Sequence, residues 1–108
     1  MDEEILSLMR QTGLKEIIEK LGKEELLNQL EEECAELIQA ASKVKRARKG
    51  LTPVTEENSL AMLAEEMADV QLLLLMVGHE EKINDDKLTE IISRKAVRWH
   101  ERLFKKND

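Results

Sequence analysis

Residues 65–77 read Glu65-Glu66-Met67-Ala68-Asp69-Val70-Gln71-Leu72-Leu73-Leu74-Leu75-Met76-Val77. Glu, Met, Ala and Leu are strong helix formers, and neither Pro nor an internal Gly breaks the run. From Leu72 onward the helix is apolar on nearly every side, which is the pattern of a buried helix. Asp69 opens that packed segment, so its ionised carboxylate needs a partner or a cation. Glu66 lies three residues earlier on the same helical face, where Cβ atoms approach to about 5–6 Å.

A second acidic motif stands upstream at Glu32-Glu33-Cys34-Ala35-Glu36, again with two carboxylates three apart. It falls inside a helix predicted from about Lys23 to Lys49, with Leu26, Leu30, Cys34, Leu37, Ile38, Ala41 and Val44 on its buried face. Gly22 ends the preceding element and Gly50 supplies a C-terminal stop. Residues 3–21 place Ile5, Leu6, Met9, Leu14, Ile17, Ile18 and Leu21 at helical spacing around Gly13, as one kinked helix or two short ones. Pro53 makes 51–54 a connector, Thr55 caps a third helix ending at Gly78, and Asn84 or Asp85 caps a fourth. That last helix carries Leu88, Ile91, Ile92, Val97, Leu103 and Phe104. The chain is therefore read as all-α, one domain over residues 1–108, with four to five helices.

Composition narrows the function. One Trp, one Phe and no Tyr among 108 residues, with 42% hydrophobic residues, describe a small helical domain. A formal charge of -6 argues against a nucleic-acid duplex as partner, since such binding relies on neutralising phosphates. The sequence starts acidic with no signal peptide in evidence, and the Leu72–Val77 run is far short of the roughly 20 residues that span a bilayer. The expectation is a cytoplasmic protein with no membrane partner. Cys34, alone and on an apolar stripe, reads as a small buried hydrophobe. The basic run Lys43, Lys45, Arg46, Arg48, Lys49 suits a helix C-terminus or an anionic ligand. Glu31 and Glu65 read as solvated, as do His79 and His100, and Trp99 as a packing or subunit-contact residue.

The two acidic motifs meet if their helices form an antiparallel hairpin. Glu36 to Lys49 and Glu56 to Asp69 are each 13 positions, about 20 Å of helix at 1.5 Å per residue. Glu33 then faces the level of Asp69, and Glu36 that of Glu66. Four converging carboxylates repel one another unless a cation intervenes. Hard oxygen donors favour Mg²⁺, with Mn²⁺ as a substitute, over zinc or copper.

Glu-Glu-x-x-Glu-Leu at Glu32 to Leu37, followed some thirty residues on by Glu-x-x-Asp at Glu66 to Asp69, resembles the MazG-like all-α nucleoside triphosphate pyrophosphohydrolases. Arg94-Lys95-Ala96-Val97-Arg98 resembles that family's basic Lys-x-x-Arg stretch. The likeness covers roughly residues 22–100. It implies a helical bundle completed by oligomerisation as a homodimer or homotetramer. It also implies Glu33, Glu36, Glu66 and Asp69 as Mg²⁺ ligands, and Glu32 and Glu33 as the catalytic carboxylates, Glu32 by orienting or deprotonating the attacking water. Lys95 and Arg98 would bind phosphate. The implied reaction converts a nucleoside triphosphate into a monophosphate and pyrophosphate, in the manner of nucleotide-pool housekeeping. Two other readings compete. Phosphoribosyl-ATP pyrophosphatase has a similar acidic pattern but a shorter connection than residues 42–60 provide. A non-catalytic helical interaction module would keep the bundle without the chemistry, although all four ligand positions here retain carboxylates.

Overall fold

The computed structural model describes residues 3–105 and contains only helices among them: α1 (Glu3–Thr12), α2 (Leu14–Arg48), α3 (Glu56–Glu80) and α4 (Asp85–Phe104). The side chain of Ile5, placed on the N-terminal apolar face above, and Lys106, one of the basic residues toward the C-terminal end of the sequence, lie outside the described parts. The organising unit is the antiparallel hairpin of α2 and α3.

The hairpin's ends follow from local chemistry. At the end of α2, Leu51 N–H donates to Arg46 O at 2.9 Å and Gly50 N–H to Ala47 O at 3.1 Å. This is the Schellman arrangement, with Gly50 at φ 69°. Thr55 begins α3 as expected, its hydroxyl accepting from Asn58 N–H at 3.1 Å, and Asn84 begins α4 by accepting from Lys87 N–H at 2.9 Å. Arg48 spans the turn with a 2.8 Å ion pair to Glu56.

The two glycines expected as helix stops differ. Gly22 breaks the helix as expected: its φ 79°, ψ 173° are non-helical, so α2 consists of two helical segments that meet at a kink there. Gly78 lies within α3, which continues to Glu80. The stop is four residues later, where Lys82 adopts φ 56° and donates to His79 O while Ile83 N–H donates to Gly78 O. This second Schellman motif has a lysine where glycine is usual.

The kink at Gly22 lets the N-terminal segment cover the open end of the hairpin. Met9 of α1 and Leu14 and Ile18 of α2 pack with Leu26, Leu73, Met76 and Val77, and Leu27 and Leu30 flank this core. Below it the two helices meet along a seam with alternating steps of four and three residues. On α2 the seam is Leu26, Leu30, Glu33, Leu37, Ala40, Val44, and on α3 it is Ser59, Leu63, Glu66, Val70, Leu73, Val77, all buried or half-buried. That 3.5-residue period is the one antiparallel helix pairs use.

The expected buried face of α2 is corrected accordingly. Ile38 is 70% exposed, Ala41 is exposed and Cys34 is only half-buried, while Ala40 takes the buried position. Steps of four through Cys34 and Ile38 drift around the helix and leave the seam. Nor is α3 buried on all sides: Leu72 and Leu74 face outward, because a single hairpin offers it one partner helix. Asp69 likewise lies exposed at the seam's edge rather than inside the packing.

Candidate metal centre

Every seam position is apolar or small except two. Glu33 on α2 and Glu66 on α3 occupy places where the alternation calls for leucine, midway between the N-terminal core and the buried Ala40, Val44 and Ser59 nearer the connector. The backbone at both positions is fixed by packing above and below, so the two carboxylates are pushed together. One oxygen each from Glu33, Glu66 and Asp69 lies within 4.8 Å of the others.

This cluster is uncomfortable without a cation. Glu33 Oε2 and Glu66 Oε2 are closed to solvent, and neither has a hydrogen-bond partner. An orphaned buried acceptor is costly, and a charged one more so. Burial raises the carboxyl pKa of Glu33 above its ordinary 4.5, and the charges of Glu36, Asp69 and Glu66 raise it further. Burial is also the main cause raising Glu66, followed by the charges of Glu36 and Asp69. The unpartnered oxygens are the observation that fits a hard divalent ion, which takes carboxylate ligands and leaves its remaining positions to water or phosphate.

The structure therefore brings together three of the four carboxylates expected as ligands. Glu36, exposed, stands outside the close triad but within electrostatic reach of both Glu33 and Glu66. Glu32 is exposed one position before Glu33 and does not join the cluster. Lys95 and Arg98 are exposed on α4, a helix with no buried residue and no extended packing against α2 or α3. Among the described residues, no packing within the chain carries them to the carboxylates.

Reading the sequence missed two features of the site. The first is that Glu33 and Glu66 are core positions, a fact visible once the alternation of four and three is traced through charged as well as apolar residues. The second is a groove of about 620 Å³ running from Glu36 and Glu66 toward the end of α2, with Lys43 and Arg46 on its wall.

Among known protein families, the model of phosphoribosyl-ATP pyrophosphohydrolase matches residues 4–96. The match spans both acidic motifs and residues 42–60, so the length of that connection does not set the chain apart from this family. Neither a curated protein nor a solved structure gave a match.

Proposed function

The chain belongs to the phosphoribosyl-ATP pyrophosphohydrolase family, one of the MazG-like all-α pyrophosphohydrolases, and on that premise we propose that it is a Mg²⁺-dependent enzyme cutting nucleoside triphosphates between the α and β phosphates. The observation that carries this reading is the pair of glutamates at opposed seam positions with unpartnered buried oxygens. A helix pair gains nothing structurally from carboxylates there, since leucine would pack and carry no charge.

Glu33, Glu66 and Asp69 would hold the ion, with Glu36 beside them as a further ligand. When bound, the cation supplies charge neutralisation and Lewis acidity at the triphosphate. The chain's own residues do the rest. The seam holds the carboxylates close together despite their mutual repulsion, the N-terminal core packs to one side of them, and the exposed Glu32 can accept the proton of the attacking water. Mn²⁺ would substitute for Mg²⁺, given the all-oxygen donor set.

Assembly into a homodimer or homotetramer belongs to the same proposal. α4 is 20 residues long with no buried side chain, while Leu88, Ile92, Trp99, Leu103 and Phe104 are all exposed. Helices in proteins owe most of their stability to packing of an apolar face, so a second copy covering α4 would account for its exposed apolar residues. Lys95 and Arg98 would then reach phosphate only across such an interface.

A second substrate reading is favoured by the family match: phosphoribosyl-ATP, itself a triphosphate, cleaved at the same bond. A panel of canonical and damaged nucleoside triphosphates plus phosphoribosyl-ATP, assayed with Mg²⁺ for pyrophosphate, separates the two by kcat/KM. Pyrophosphate with a monophosphate is the expected product pair. Stepwise orthophosphate release through a diphosphate would sink the proposal, as would recovery of chelated enzyme by Zn²⁺ alone.

A further inference from the structure

We propose that Lys43 and Arg46 form the subsite for the terminal phosphates of the substrate, the pair that leaves as pyrophosphate; this rests on the pyrophosphohydrolase reading above. The groove that begins at Glu36 and Glu66 is walled by Lys43 and Arg46 farther along α2. The three α2 residues share one face, at steps of seven and three. Lys43 lies about 10 Å and Arg46 about 15 Å beyond Glu36 along the axis. Side chains on a helix lean toward its N-terminus, so both cations tilt back toward the carboxylates and shorten those spans. A metal at the glutamate end and two cations up the groove match the layout of a polyphosphate whose α phosphate is attacked and whose outer phosphates need separate neutralisation.

The basic run around them is not uniform. Arg48 is engaged by Glu56 across the turn, whereas among the described residues neither Lys43 nor Arg46 forms an ion pair. Lys43 is half-buried, which fits a stem packed along the groove wall with the ammonium free to reach a ligand. Favourable interaction with the end of α2 accounts for a basic run but not for cations facing the same groove as the carboxylates.

The test is calorimetric titration of the full chain with inorganic pyrophosphate, and separately with a nucleoside monophosphate, in the presence of Mg²⁺. Lys43→Met and Arg46→Gln should each weaken pyrophosphate binding about tenfold, the lower end for a charge-assisted hydrogen bond at a part-exposed position. Both should leave the monophosphate affinity and the Mg²⁺-induced rise in melting temperature unchanged. Arg48→Gln, which removes the same charge outside the groove, should bind pyrophosphate as wild type does. Loss of monophosphate rather than pyrophosphate affinity would overturn the assignment, and so would equal losses in all three variants. Pyrophosphate binding that survives both substitutions refutes this subsite alone, while a wild-type chain that shows no Mg²⁺-dependent binding of either ligand refutes the reading of the site and the subsite with it.

Discussion

Gly22→Ala and Gly78→Ala are the same chemical change in two helices and should have opposite effects. Gly22 has φ 79° and ψ 173°, a region that only glycine occupies without strain, and forcing another residue there costs about 1–3 kcal/mol. An added Cβ at Gly22 meets nothing within 4 Å, so the whole cost is in the backbone and none in crowding. Gly78 also has open space around a Cβ, but it lies in ordinary helix within α3. Alanine there should stabilise by about 0.5–1 kcal/mol, by restricting the unfolded chain and favouring the helix. The two variants should therefore differ by about 1.5–4 kcal/mol, or roughly 6–30 °C of melting temperature at 4–8 °C per kcal/mol. Far-ultraviolet circular dichroism melts at one fixed protein concentration measure this. The strain has a structural purpose, because straightening α2 at Gly22 would lift Met9, Leu14 and Ile18 off Leu26 and the end of α3. A Gly22→Ala protein as stable as wild type would refute both the kink and the packing it makes possible.

Lys82→Gly should stabilise by about 0.5–1 kcal/mol in urea titration, since a non-glycine residue at φ 56° is strained at this helix stop. Asp69→Asn and Glu66→Gln should each remove most pyrophosphohydrolase turnover, raise the melting point of chelator-treated protein and shrink the rise that Mg²⁺ produces; equal Mg²⁺ responses in wild type and variants would exclude these residues as ligands. The pH dependence has a definite sign. Glu33 and Glu66 have folded pKa values raised above 4.5, so the stability they contribute is complete below that value and is lost as pH rises through the folded pKa. Melts of metal-free wild type minus those of a Glu33→Gln/Glu66→Gln double variant should show that loss above about pH 4.5, and a flat difference would count against the buried cluster.

The acidic motifs, the hairpin and both side-chain N-caps were legible because each depends on local chemistry: carboxylates three apart, a lone proline, Thr55 and Asn84 ahead of helical runs. The height argument also served in part: equal arms of 13 residues put Glu33 level with Asp69, as found, but paired Glu66 with Glu36, whereas the close triad joins Glu66 to Glu33 and Asp69. What escaped was rotational. Tracing only apolar residues along α2 replaced Glu33 with its neighbour Cys34 and carried Ile38 and Ala41 onto a face they do not occupy. The end of α3 escaped for a different reason: glycine is the expected signal for a left-handed helix stop, and here a lysine performs that turn while Gly78 stays helical. The position of α4 could not be inferred from its amphipathic pattern, because that pattern states that a face will be covered without stating which surface covers it.

The location of the acids between two packed regions also explains how so small a chain can hold like charges together. Carboxylates on a flexible surface relieve repulsion by turning into water, and their pKa values stay ordinary. Glu33 and Glu66 are less free to do so, because they are half-buried between seam residues that are themselves buried or half-buried, and one oxygen of each is closed to solvent. Burial first, and the neighbouring carboxylate charges second, raise the pKa of both groups, and one oxygen of each has no partner. A cation that removes the repulsion gains affinity from its relief in addition to its own coordination bonds. Stability elsewhere in the hairpin is thus the physical source of the site's preorganisation, and substitutions that loosen the seam far from the carboxylates should weaken metal binding without touching a ligand.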